Sequence, residues 1–245
     1  VFAALVLALS SASCGSGGGR GRVTGVLDAP DCWSGKFDLQ PDFFAGVPYR
    51  QSLTLRIQRG SDSETFSDGV SILIDDTSKI RPGTTAGEYG KPLQVDIPAS
   101  VTPPGVPLAA NANPAPAHFV LYLQKSCQTQ EVALYAVREV TMPTDGSCTI
   151  TEDIEGSDPA SGCVNALPAG PGTGKSTMAF ESLFDGDPQE SNAAARLNRG
   201  CFDVYLADPR DVDPGGKGPP PRCQGHVRGN FDFYFERGRP QQPFP

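Results

Sequence analysis

Period-two alternation of apolar and polar residues is the feature that most restricts the fold of this chain. Leu53, Leu55 and Ile57 alternate with Thr54, Arg56 and Gln58, and Leu93, Val95 and Ile97 do the same around Gln94 and Asp96. Phe202, Val204 and Leu206 repeat the pattern; Phe231, Phe233 and Phe235 put three rings on one face, with Asp232 and Tyr234 opposite. Successive side chains of an extended backbone point to opposite faces, so this spacing predicts half-buried strands. Val70–Ile74 and Phe119–Leu123 are continuous apolar runs, which suit central strands buried on both faces. Val132–Met142 and Met178–Phe184 add two more. Between these runs lie most of the 28 glycines and 24 prolines, about a fifth of the 245 residues. Roughly ten strands separated by Gly, Pro, Asn and Asp turns predict an all-β fold: an antiparallel β-sandwich, or a barrel-like relative of one, with long Pro/Gly-rich loops.

Helix is expected in one place only. Ser191 can cap a short helix over Ser191–Arg199, three alanines follow, and Gly200 can end it. Pro98–Ala117, Asp208–Arg222 and the tail Arg239–Pro245 read as extended loops because proline and glycine dominate them. A sub-boundary could fall at Pro143–Ser147, but both halves have the same style and no repeat relates them. One domain over residues 23–245 is the preferred reading.

The N-terminus carries an address. Val1–Leu9 is apolar, Ser10, Ser11, Ala12 and Ser13 are small, and Cys14 precedes a glycine-rich stretch. Nine apolar residues are too few for a bilayer span, which needs about 20, but they suit the core of a signal peptide. The layout resembles a bacterial lipoprotein signal. That resemblance implies cleavage after Ser13, a diacylglycerol on the Cys14 sulfur, and further acylation such as palmitate. It implies an exported protein held on a bacterial membrane, and Gly15 in place of an aspartate favours the outer membrane or cell surface over the inner membrane. Residues 1–13 are then the signal peptide and residues 14–22 the anchor and tether. Gly15–Gly21, with little to pack, should behave as coil and span on the order of 15 Å. Ser11 and Ser13 also satisfy the small-x-small rule of ordinary signal peptidase, so a freely secreted protein cut at the same bond is the rival reading.

Seven cysteines bear on that choice: Cys14, Cys32, Cys127, Cys148, Cys163, Cys201 and Cys223. In an oxidising compartment six would form about three disulfides and leave one odd thiol. Acylation of Cys14 removes the oddity. Local staples would join Cys148 to Cys163 around an acidic loop and Cys201 to Cys223 around a Pro/Gly-rich one, leaving Cys32 for Cys127.

A net charge of −8 argues against nucleic acid, which needs a basic footprint. Ala169–Ser176 looks like the phosphate loop of nucleotide hydrolases through Gly174, Lys175 and Ser176. The first glycine of that motif is Ala169 here, and the motif works only where a buried strand leads into a helix. Ile72–Asp76 resembles the strand and acid that hold magnesium in those enzymes, but precedes the glycine loop. The expectation is a false phosphate loop: a Gly/Pro turn leading into a strand.

Acidic groups at Asp62, Glu64 and Asp68, at Glu152, Asp153, Glu155 and Asp158, and at Asp208, Asp211 and Asp213 have calcium-ligand chemistry. None has the twelve-residue calcium-loop spacing, and solvated turns explain them. His118 and His226 lack a zinc or nucleophile motif around them. Trp33, beside Cys32, could stack on a sugar, though packing against a disulfide is the commoner role. No metal, cofactor or catalytic residue is assigned. The sequence therefore reads as a lipid-anchored envelope module whose loops meet a protein or glycan, and more as a binding or structural protein than an enzyme. The alternative is a secreted hydrolase using carboxylate chemistry on glycan or peptide.

Overall fold

A computed structural model describes residues 19–29, 32–60, 67–80, 93–94, 117–127, 132–150, 174–184, 191, 195–212 and 218–235. Eleven strands form one sheet: β1 (Arg20–Ala29), β2 (Trp33–Leu39), β3 (Phe43–Tyr49), β4 (Ser52–Gln58), β5 (Asp68–Ile74), β6 (Leu93–Gln94), β7 (Ala117–Leu123), β8 (Val132–Val137), β9 (Thr177–Ser182), β10 (Leu197–Ala207) and β11 (Gly225–Tyr234). Its order is β2-β1-β11-β10-β8-β7-β5-β4-β3, with β9 on β10 and β6 on β9. Every strand pairing is antiparallel. The all-β expectation therefore holds.

The sheet wraps around one core, as the alternation requires. Leu53, Leu55 and Ile57 of β4, Phe202, Val204 and Leu206 of β10, and Phe231 and Phe233 of β11 all enter it. Strands far apart in the order meet across it: Phe44 of β3 lies 5.7 Å from Phe233 of β11, and Phe119 of β7 packs over β8 to lie 4.8 Å from Phe202 of β10, centroid to centroid. Strands on both sides of Pro143–Ser147 alternate within the sheet, β8 pairing directly with β10.

A second, smaller core sits on the other face of β10. Tyr205 alternates with the inward Val204 and Leu206, so it points outward, yet it is buried. Val137, Val140, Cys148, Val212 and Cys223, with Met142, cover it. This cluster is made by the chain leaving β8 and by the chain entering β11.

Three expectations are corrected. Leu197, Asn198 and Arg199 are the first residues of β10 rather than the end of a helix. Gly200 does not terminate anything; it lies in the strand beside a register shift at Arg199/Gly200. Helix propensity is a weak prior, and packing overrode it: Asn198 is fully buried and its carboxamide oxygen accepts the Phe184 N–H at 2.9 Å. Second, β1 starts at Arg20, so Arg20, Gly21 and Arg22 belong to the sheet and not to a tether, Arg20 standing opposite Asp232 of β11. Third, Cys148 bonds to Cys223, with Cα atoms 6.3 Å apart, in place of the two local staples. The bridge ties the two halves of the small core together, which neither local pairing would do.

Candidate functional surface

Cys14, Cys163, Asp62, Glu64, Glu152, Asp153, Glu155, Asp158 and Asp213 lie outside the described residues, as do most of the Pro98–Ala117 loop and the Arg239–Pro245 tail. Cys32 is bonded to Cys127, Cα to Cα 5.2 Å, and links the β1–β2 turn to the β7–β8 connection. Cys201 is also disulfide-bonded.

The phosphate-loop residues do something else. Gly174 has φ +65°, a left-handed conformation suited to glycine, and its carbonyl accepts the Val140 N–H at 3.0 Å. Lys175 is exposed and forms a β-bridge with Glu139, and Ser176 leads straight into β9. The segment after Ser176 is a strand and not the helix whose N-terminus the phosphate-loop motif requires. Ser176 is instead a joint. The first half of β10 pairs with β9 and its last residues pair with β8, so the ladder forks beside Tyr205. The Ser176 hydroxyl donates to the Val137 carbonyl at 2.6 Å and accepts the Tyr205 N–H at 2.9 Å. One fully buried hydroxyl thus serves two backbone groups at the fork.

The acidic residues that are described are engaged in turns. Asp68 accepts the Lys125 and Ser126 N–H groups, each at 3.0 Å, and the Ser126 hydroxyl at 2.6 Å, which fixes the turn before Cys127. Asp208 caps the short 3-10 turn Pro209–Asp211, and its hydrogen bond to the Arg210 guanidinium holds its carboxyl below the ordinary carboxylate range. Gln224 donates to Asp211 at 3.3 Å. Among the described residues no group of three or more metal-ligating side chains converges.

Both histidines pair with a carboxylate. His226 of β11 is 1% exposed, its Nε2 meets Asp203 of β10, and the Tyr205 ring lies parallel to it at 4.0 Å. Arg228 donates to the other Asp203 oxygen at 2.9 Å. A substrate has no approach to this imidazole, so the trio serves the small core. His118 of β7 is more open; its Nε2 lies 2.7 Å from Asp75, which follows β5. A His–carboxylate couple can move a proton to or from a bound water. Trp33 packs edge-on against Phe37 at 5.6 Å and donates its indole N–H to the Lys36 carbonyl at 3.1 Å, so packing is its role.

Sequence reasoning missed the polar ladders on the outer face. Glu181 of β9, Arg199 of β10, Asp232 of β11 and Arg20 of β1 form one chain of ion pairs across four strands, at 2.9, 2.7 and 3.4 Å. Arg22 makes a two-pronged pair with Asp38 of β2 at 2.8 and 3.0 Å, and that bonding lowers the Asp38 pKa and raises that of Arg22. The available signal was the alternation itself, which placed Asp232 opposite the three phenylalanines. Across β4, β5 and β7 the same outer face carries Arg56, Gln58, Ser71 and Tyr122, all buried. The Tyr122 hydroxyl donates to Gln58 at 2.9 Å, and burial pushes its pKa up from 10.0 to about 12, against the pull of Arg56. Burial lowers Arg56, and the charge on Tyr122 opposes that shift.

No helix among the described residues is long and apolar enough to cross a membrane. No family model matches the chain, and neither a curated protein nor a solved structure gives a significant match.

Proposed function

We propose that this chain is an exported lipoprotein, held on a bacterial membrane through lipid on Cys14, that works as a non-catalytic binding or structural module of the envelope. The outer membrane or cell surface is the favoured location. The observation that carries the reading is the state of the cysteines. Cys32, Cys127, Cys148, Cys223 and Cys201 are all in disulfides, and disulfides persist in oxidising, extracytoplasmic compartments. Seven cysteines leave one odd sulfur, and the lipoprotein-like signal puts Cys14 in that role. The non-catalytic part rests on how the described polar side chains are used. The ladders, the Asp203–His226–Arg228 trio and Ser176 all hold strands together. Loops are then left to meet a protein or glycan partner.

Intact mass of the protein expressed in a bacterial host tests this directly. Loss of residues 1–13 with a diacylglycerol increment on Cys14, abolished in Cys14→Ser together with membrane fractionation, is the expected result. A cleaved but unmodified Cys14 overturns the anchor and makes the protein a soluble secreted one.

A further inference from the structure

With lipid on Cys14, as proposed above, the short chain between Cys14 and the sheet decides which side of the domain meets the bilayer. Gly19 is already docked, because a Cβ added there would lie 2.5 Å from the Phe44 ring and 2.9 Å from the Phe233 Cβ. Only Gly15, Ser16, Gly17 and Gly18 separate Cys14 from that fixed point. Five Cα-to-Cα steps reach at most about 18 Å when fully extended, and about 12 Å as coil. A domain of this length is roughly 40 Å across. The tether is therefore too short to let the far side of the domain reach the membrane.

The surface around Gly19 has the chemistry for that neighbour. Arg20 opens β1 with its side chain 85% exposed. Tyr234 closes β11, two residues past Asp232, the strand partner of Arg20, and is 54% exposed. Arg196, also exposed, precedes β10 and accepts the Phe235 N–H on its carbonyl at 3.0 Å. Among the described residues the two carboxylates of the ladder here, Asp232 and Glu181, are largely covered and held by Arg199, and the exposed groups beside them are the Arg20 and Arg196 guanidinium groups and the Tyr234 phenol. Arginine pairs with phosphate, and tyrosine suits an interface that is wet on one side and apolar on the other. We propose that Arg20, Arg196 and Tyr234 form the membrane-facing surface of the domain and contact the phosphate-bearing headgroups of the bilayer that holds Cys14.

The test uses full-length protein purified from bacterial membranes, its mass showing the lipid, reconstituted in phosphatidylethanolamine–phosphatidylglycerol vesicles that contain headgroup-quencher lipid. With Trp33→Phe as background, Tyr234→Trp reports the proposed face. Arg222→Trp reports the far end of β1, since Arg222 pairs with Asp28, eight residues and about 26 Å from Arg20. Quenching several-fold stronger at Tyr234→Trp, and weakened by Arg20→Glu with Arg196→Glu, is expected. Equal quenching of the two reporters, or stronger quenching at Arg222→Trp, in lipid-bearing protein overturns the orientation alone. Protein with no lipid on Cys14 overturns the anchor and, with it, this surface.

Discussion

Removing the Cys148–Cys223 bridge is the sharpest test of the two-core architecture. The bridge closes a separation of 75 residues. In the chain-entropy picture a loop of that size is worth about 4.5 kcal/mol at 25 °C, an upper figure, because measured losses commonly fall short of the chain-entropy value. The alanine pair Cys148→Ala/Cys223→Ala is the right perturbation: both sites are fully buried, so an apolar replacement adds no unsatisfied polar group, and no thiol is left to re-pair with another cysteine. A loss of about 2–4 kcal/mol is expected, a large share of the 5–15 kcal/mol typical of a domain. At a urea slope of about 2 kcal/mol per molar, the midpoint falls by roughly 1–2 M. Amide hydrogen exchange should localise the damage: Val140, Thr141 and Cys223 N–H groups, which bond across the small core, should lose protection before those of β4 and β5. A midpoint shift below about 0.3 M, or uniform loss of protection in both cores, would refute the view that this bridge holds a separate unit.

Three further outcomes follow from single side chains. Ser176→Ala should cost about 1–3 kcal/mol, because it strips a partner from the buried Tyr205 N–H and the Val137 carbonyl, whereas exposed Lys175→Ala should stay within about 0.5 kcal/mol; equal effects in chemical denaturation would count against the fork. Gly25→Ala should destabilise by about 3 kcal/mol or more, since its Cβ would run into the His226 carbonyl oxygen and lie 2.8 Å from the Val227 Cα, both backbone; a near-native melting temperature would show that β1 and β11 are less closely paired than here. Tyr122 has a folded pKa near 12 against 10.0 for the free group, so it supports the fold below pH 10 and loses that contribution as pH rises to 12, on the order of 3 kcal/mol in all. Tyr122→Phe should flatten the stability profile between pH 10 and 12 relative to the parent; an unchanged slope would mean the hydroxyl is not buried.

What the sequence made legible and what it hid divide along one physical line. A strand's inner face is a local property: Leu53, Leu55 and Ile57 declare it by spacing, and the structure seats all three in the core. Which strand lies beside which is a property of distant pairs, and spacing is silent on it. The disulfides show the difference. Cys148–Cys163 and Cys201–Cys223 are attractive because short loops cost little entropy to close, and that argument holds only if nothing else brings distant segments together. Here β10 already does so, pairing with β8 on one side and β11 on the other, which carries the chain after β8 and the chain before β11 over the same residue, Tyr205. Once the sheet has closed that distance, the long bridge adds little closure cost in the folded state and removes the most freedom from the unfolded one. Ser176 follows the same logic. As a local string, Gly174, Lys175 and Ser176 point to phosphate. Placed at the fork of a sheet, the same glycine supplies a left-handed turn and the same hydroxyl supplies the two backbone bonds that the fork would otherwise leave open. In this fold Gly174 and Ser176, the core of the phosphate-loop look-alike, are spent on closing the sheet. If the protein is the lipid-held module proposed above, contact with a partner falls to the loops and to the end of the sheet at Arg20.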